Sequence, residues 1–250
     1  GDTLEVVSIE GDWAKVYDNN SYGYVHAQYI IKKDSTEKPE SINTKYTLYN
    51  TTLNEYAELQ AKSVSYSVNT LKEYIDPSKC LDFEFLELNK FREISVDKLN
   101  GIFESKNAGV LKGQGQHIYN TAKKYNIDPL YLAVQSILET GYGKSTLAKG
   151  VTITEIANES KPIKNAKGEI TGYEMIKLDA PVTVYNLYGI GAKDNTAAMP
   201  NRALILGTTY AYNKGWTSVE AAIDGAGSFV SSGYINNSKY NQNTLYKIRF

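Results

Sequence analysis

Residues 32–43, KKDSTEKPESIN, carry charges, hydroxyls and a proline with almost no apolar side chain. Such a stretch cannot contribute to a core and reads as a linker, placed at 34–43. It divides the 250-residue chain into two unequal parts. Ahead of it, residues 3–31 alternate short apolar runs with turns: Leu4, Val6 and Ile9, then Gly11-Asp12, Trp13, Lys15-Val16-Tyr17, Asp18-Asn19-Asn20-Ser21, and Tyr22 to Val25. That pattern spells about three short strands, too little for a stable β domain alone. A chain opening at Gly1-Asp2 on the edge of a strand is expected to be cut from a longer protein, so a missing leader peptide does not weigh against secretion.

Behind the linker the periodicity turns helical. Helices are expected near 53–62, after an N-cap at Ser95, and over 112–125, 129–140 and 201–213, the last stopped by Gly215. Thr217 and Glu220 have capping-box spacing for one more, running to about Ser232 with Gly233 as its stop. In the helix opened by Pro129, residues Leu130, Ala133, Val134, Ile137 and Leu138 fall on one apolar arc, with Glu139 off its centre, one turn above Gln135. Alternating arms on either side of Asn165-Ala166-Lys167-Gly168 predict a β-hairpin within 151–177. The fold class is therefore α+β, mainly α, with a β-hairpin lobe and a small all-β fragment in front.

Composition narrows the chemistry. Against 28 Asp+Glu stand 27 Lys+Arg, a net charge of −1, so nucleic acid is not an expected partner. No run approaches the ~20 apolar residues of a membrane-spanning helix, and a monomer is expected. Cys80 alone cannot form an internal disulfide, and with only His26 and His117 an all-protein zinc site is not expected, nor any cofactor. Cys80 lacks the helix start that activates a nucleophilic thiol and reads as a small apolar residue. Tyrosine, at 21 residues, far exceeds the 6 Phe and 2 Trp; its flat amphipathic rings suit sugars and equally a wet surface.

The sharpest local signal is Leu138-Glu139-Thr140-Gly141-Tyr142-Gly143, a glutamate in the last turn of an apolar helix followed by two glycines. A carboxyl group there meets the negative end of the helix dipole, and partial burial in a cleft would act in the same direction, favouring the protonated form that a general acid needs. An ordinary helix ending at glycine has the same spacing.

A second block, Tyr185-Asn186-Leu187-Tyr188-Gly189-Ile190-Gly191-Ala192-Lys193-Asp194, extends the pattern. With ILETGYGKSTLAKG, GVLKGQGQHIYNTAKKYNIDPLYLAVQS, YNKGWTSVEAAIDGAGSFVSSGYI and the terminal NQNTLYKIRF, it closely resembles the glucosaminidase family of bacterial autolysins, glycoside hydrolase family 73, over roughly residues 44–250. The opening GDTLEVVSIEGDWAKVYDNNSYGYVHAQYI resembles the closing half of a bacterial SH3-like repeat. The resemblance implies a partial wall-binding repeat at 1–33 and a lysozyme-like catalytic domain at 44–250. It also implies a secreted, wall-associated endo-β-N-acetylglucosaminidase that acts on peptidoglycan glycan strands.

Glu139 matches the family's catalytic acid. Tyr185, Asn186 and Tyr188 match cleft positions, with Gln135, Tyr142, Tyr210, Trp216, Tyr234 and Tyr246 as further candidates for sugar contact, each equally able to be core. A second carboxylate would come from Glu155, Glu159, Glu169 or Glu174, or from Asp179 or Asp194; alternatively the substrate's N-acetyl oxygen serves as nucleophile. A lytic transglycosylase and a wall-binding protein without activity remain the rival readings.

Overall fold

The computed structural model describes residues 4–18, 21–30 and 50–249. The expected linker at 34–43 lies outside the described residues, as do Asn19 and Asn20. Residues 1–52 and 53–250 form two compact units.

The first unit is an antiparallel sheet in the order β1 (Glu5–Glu10), β2 (Trp13–Asp18), β3 (Ser21–His26). Period-two alternation sends Ala14 and Val16 to a buried face. Trp13, Lys15 and Tyr17 pair with His26, Tyr24 and Tyr22 on the other. There Trp13 meets His26 edge to face, and the Lys15 ammonium lies over the Tyr22 ring.

The second unit is mainly helical. Its first helix, α1 (Leu53–Ala61), matches the expectation, but a second, α2 (Val68–Ile75), was not foreseen. The Ser67 hydroxyl caps it by accepting from the Thr70 N–H at 3.1 Å. This pair has its own small core of Ala57, Leu71 and Ile75. Helices α3 (Val96–Ser105), α4 (Gly115–Tyr125) and α5 (Pro129–Glu139) follow, with Ser95 capping α3 as expected. The start of α4 falls at Gly115 rather than 112 because Gly113 takes a left-handed conformation, φ +76°.

After the short α6 (Thr146–Lys149) comes the hairpin, β4 (Val151–Lys164) and β5 (Ile170–Val184), longer than its expected span. Next come α7 (Arg202–Asn213), α8 (Val219–Val230) and α9 (Leu245–Arg249). The cap of α8 is Ser218, one residue beyond the expected Thr217, because its hydroxyl is the one that accepts from the Ala221 N–H. Nor does Gly233 stop this helix. It continues as a π-turn over Ser231–Ile235, where the Ser231 hydroxyl and the Asn236 amide both donate to the Tyr125 carbonyl.

One large core joins α3, α4, α5 and α8 with the loop after β5, around Phe103, Ile118, Leu132, Leu187 and Ile223. Helix α5 shows how this core overrides a simple hydrophobic count. Its buried stripe is Leu132, Ala133, Ser136 and Ile137, while Leu130, Val134 and Leu138 are 46%, 52% and 70% exposed. The expected apolar arc is thus rotated. A serine can occupy the inner face because Ser136 Oγ donates to the Leu132 carbonyl at 2.8 Å, satisfying itself on its own helix.

The start of α5 is fixed by Asp128, whose carboxylate accepts from the Tyr131 N–H at 3.0 Å and pairs with Arg92 at 2.9 Å. Its side chain is 8% exposed, so removing it takes away a helix cap and strands the half-buried guanidinium. Asp128→Ala is expected to lower unfolding stability by about 2–4 kcal/mol, and Asp128→Asn, which keeps the cap, by less. Denaturant melts of the two variants check this.

Candidate active site

The last turn of α5 is closed by Thr140, which is fully buried. Its hydroxyl donates to the Ser136 carbonyl at 2.6 Å and accepts from the Gly143 N–H at 2.7 Å. Its own carbonyl accepts from Lys144 and Ser145. The chain then runs through three successive left-handed residues, Gly141, Tyr142 and Gly143, at φ +54°, +62° and +67°. Tyr142 holds this conformation despite its side chain, which is 51% exposed.

Gly143 is required by proximity as well, since a Cβ there would collide with the Ala108 carbonyl, and the Gly143 carbonyl accepts from the Val110 N–H at 3.2 Å. Gly143→Ala is therefore expected to cost about 2–3 kcal/mol, from the left-handed backbone together with the overlap. Its thermal melt, compared with that of the open-space control Gly141→Ala, separates the two causes.

Because Ser136 and Thr140 face inward, the neighbouring ridge Tyr131, Gln135, Glu139, at i, i+4, i+8 spacing, climbs from the core edge to solvent: Tyr131 and Gln135 are half-buried, Tyr131 against the core, and Glu139 is exposed. Glu139 is exposed, not partly buried as expected, for the core takes the opposite side of the last turn. Gln135 Nε2 donates to Glu139 Oε1 at 2.8 Å and fixes the carboxylate's direction. Gln135, a candidate for sugar contact, thus spends one amide hydrogen on the acid.

Two phenols feel the Glu139 charge. Burial, then Glu139 and Tyr234, push the Tyr131 hydroxyl up to about 12. Tyr188 comes from the loop after β5, its hydroxyl 3.0 Å from Ser136 Oγ. Burial drives its pKa far above the ordinary value, with Tyr131 and Glu139 acting in the same direction against the Ser136 hydrogen bond. Tyr131 was missed in the sequence. Its signal was the four-residue spacing to Gln135 and Glu139.

The remaining candidates separate. Asn186 is 1% exposed, its amide donating to the Ile190 and Gly207 carbonyls and accepting from the Ile190 N–H, so it pins a loop rather than lining a surface. Trp216 is buried against Gly225 and Tyr210, and Tyr210 in turn covers Gly191. Tyr185 packs on Gly150 and donates its N–H to the Trp216 carbonyl. Tyr246 donates to the Ile75 carbonyl and stacks on Phe85, tying the tail to α2. Tyr234, 40% exposed, stands on the π-turn beside Phe229. His117 is exposed, and Cys80 is half-buried with its thiol pushed up by burial and Glu84.

The carboxylates of the hairpin are all exposed. Glu159 pairs with Lys193 at 3.1 Å, Glu174 with Lys161 at 2.9 Å, and Glu169 accepts from the Asn165 amide in the turn. Glu155 is exposed at a register shift of β4 and makes no ion pair among the described residues. No group of three His, Cys, Asp or Glu able to hold a metal occurs among the described residues.

Residues 115–249, more than half of the chain, match the family model described as Glucosaminidase, mannosyl-glycoprotein endo-beta-N-acetylglucosaminidase. The chain belongs to this glucosaminidase family. It is 35% identical over 204 residues to a beta-N-acetylglucosaminidase of Bacillus subtilis (strain 168), covering 79% of this chain and 19% of the relative. To a bifunctional autolysin of Staphylococcus aureus (strain MRSA252) it is 33% identical over 224 residues, 82% of this chain and 16% of the relative. The chain therefore spans about a fifth or less of the length of these relatives.

Among solved structures, a major bifunctional autolysin superposes with a TM-score of 0.50 at 31% identity, over 78% of this chain and 74% of the other. The S. aureus glucosaminidase B superposes with a TM-score of 0.53 at 24% identity, over 80% and 73%. The fold is accordingly the lysozyme-like, mainly helical fold expected, with its hairpin.

The glucosaminidase-family match begins at α4, so it includes α5, the left-handed turn and the Asn186 block. The raised Tyr131 hydroxyl carries a linkage consequence. The folded state holds this proton more tightly than the unfolded chain, so unfolding releases it once the pH passes ~10, and stability falls from there up to about 12. Tyr131→Phe is expected to flatten that alkaline loss by an amount of order 2 kcal/mol, read from denaturant melts between those pH values.

Proposed function

We propose that this chain hydrolyses the β-1,4 bond after N-acetylglucosamine in peptidoglycan glycan strands, with Glu139 as general acid. The observation that carries the reading is the outward ridge of α5. It presents one aimed carboxylate, braced by Gln135 and flanked by the Tyr131 and Tyr188 phenols, in a member of the glucosaminidase family. A proton delivered to the glycosidic oxygen lets the C1–O bond break without expelling an alkoxide.

The N-acetyl oxygen of the substrate is favoured as the nucleophile. Of the four glutamates considered for a second carboxylate, Glu159, Glu169 and Glu174 are engaged in pairs of their own. That leaves Glu155, with the exposed Asp179 and Asp194, as carboxylates for a two-carboxylate route, Glu155 being the glutamate among them. Exposed Tyr142 and Tyr234 are the aromatic surfaces best placed to stack on sugar rings.

Residues 1–33 fit a partial SH3-like wall-binding repeat, its aromatic face formed by Trp13, Tyr22 and Tyr24, ahead of a linker at 34–43 and the catalytic domain at 44–250. Action on the wall outside the cell follows from this substrate, and no helix among the described residues is long and apolar enough to cross a membrane.

The test is mass spectrometry of borohydride-reduced products from purified peptidoglycan. Glucosaminitol ends that fall by about a thousandfold in Glu139→Gln are the expected result. Anhydro-muramic ends would instead make it a transglycosylase, and retention on the wall without products would leave a binding protein. On the substrate-assisted route, Glu155→Gln keeps activity within about threefold, whereas a loss matching that of Glu139→Gln would install it as the second carboxylate.

A further inference from the structure

We propose that Tyr142 is a binding residue kept for its ring, a fixed floor under one of the two sugars joined by the scissile bond; this rests on the glycosidase reading above. The backbone gives no reason for a tyrosine here. At φ +62° it stands in the left-handed region, which glycine enters freely and asparagine at little cost, whereas a Cβ carrying a bulky ring is disfavoured. Both flanking residues, Gly141 and Gly143, are glycines in the same region. Nor can the turn relax around the ring. The Tyr142 N–H donates to the Ile137 carbonyl at 2.8 Å, the Gly143 N–H donates to the Thr140 hydroxyl at 2.7 Å, and the Gly143 carbonyl accepts from the Val110 N–H. A side chain held on an unfavourable backbone by contacts on both sides marks a position selected for something other than folding.

Packing supplies no reason either. Tyr142 is 51% exposed, and among the described residues neither its ring nor its hydroxyl has an aromatic, cationic or hydrogen-bonding partner. What the ring meets is set by its place in the chain. Three peptide links part Glu139 from Tyr142, so their Cα atoms lie within ~11 Å of each other. A glycan strand that brings its bond to Glu139 therefore lays one of the bonded sugars within reach of the ring. In a β-1,4-linked strand of gluco-configured sugars every ring substituent is equatorial, so both faces of each sugar carry only C–H groups, the surface that a flat aromatic ring covers. Because Gly143 lies against Ala108 and locks the turn to the loop after α3, the ring needs no ordering when the sugar arrives. The contact is made in the ground state and kept in the transition state, so it acts on binding rather than on bond breaking.

The experiment measures kcat, KM and thermal melts of Tyr142→Asn, Tyr142→Gly and Tyr142→Phe on purified glycan strands, with Glu139→Gln as the blank. Tyr142→Asn, which suits the left-handed backbone, is expected to raise KM about ten- to thirtyfold with kcat within about threefold. It should melt within about 4 °C of the wild type or above it, because relief of the backbone offsets the half-buried ring. Tyr142→Phe should recover most of the affinity, since the ring and not the hydroxyl makes the contact. Tyr142→Gly should repeat the asparagine result by the same backbone logic.

A KM for Tyr142→Asn within about twofold of the wild type overturns the proposal, as does a loss in Tyr142→Phe equal to that in Tyr142→Asn. Melts lowered by more than about 4 °C in both the asparagine and the glycine variants also overturn it, for the ring would then be a packing residue. If the wild type makes no Glu139-dependent glucosaminitol ends, the glycosidase reading falls and the proposal with it. Glu139-dependent ends together with an unchanged KM in Tyr142→Asn overturn the proposal alone.

Discussion

The Thr140 hydroxyl is the interaction on which the candidate site depends. It is buried at the C-terminus of α5, where backbone groups lose their helical partners and an apolar side chain could not replace them. By donating to Ser136 and accepting from Gly143, it ends the helix and begins the left-handed turn in one step. The turn lets Gly143 lie against Ala108 and locks the end of α5 to the loop after α3. With Thr140 and Ser136 facing the core, geometry leaves Glu139 facing out. The acid is exposed because its neighbours are buried.

The tyrosines show a related economy. Their abundance pointed to sugar contact or to a wet surface, and the structure gives many of them a third use. Tyr246, Tyr125 and Tyr119 are each half-buried while placing the hydroxyl on a carbonyl or carboxylate, of Ile75, Asp224 and Glu93 respectively. A phenylalanine would fill the same volume and leave those oxygens to water. Tyr188 belongs to the same class by construction, with a ring against the core and a hydroxyl on Ser136. What distinguishes it is that its hydroxyl also feels the charge of Glu139.

Much of the fold was legible because local signals and tertiary packing agree. Ser95, Pro129, the Asn165 to Gly168 turn and Gly215 mark boundaries by backbone chemistry that packing does not alter. Glu139 and its glycines were legible for the same reason. The face of α5 was not, since a helix with apolar residues all round leaves the choice to its neighbours, and those neighbours accepted Ser136 and Thr140 in place of Val134 and Leu138. The aromatic candidates were unreadable one by one, because a tyrosine or tryptophan packs and binds with the same atoms. Asn186 misled by its type: its amide suits a sugar hydroxyl as well as it suits the three backbone groups that it joins.

The two sides of the molecule that carry polar chemistry are held by different forces. The α5 ridge stands on the main core, so shifting Glu139 would mean moving Leu132, Ile137 and their partners on α3 and α4. The base of the hairpin joins the same core through Ile153, Val182 and Val184, but farther out it rests on its own ladder, a few exposed ion pairs and a small cluster of Ala157, Tyr173, Met199 and Leu206 at its junction with α7. One bond from the Ala157 N–H to the Thr209 hydroxyl, at 2.9 Å, fixes that junction. Beyond it, residues 159–169 are exposed throughout, and a two-stranded ribbon so placed has little burial to resist bending. On the proposed reading, in which Glu139 is the acid, a rigid Glu139 and a compliant ribbon suit a polymeric substrate. The reacting group has to be placed to a fraction of an ångström, whereas the surface that follows a long chain has to yield to it.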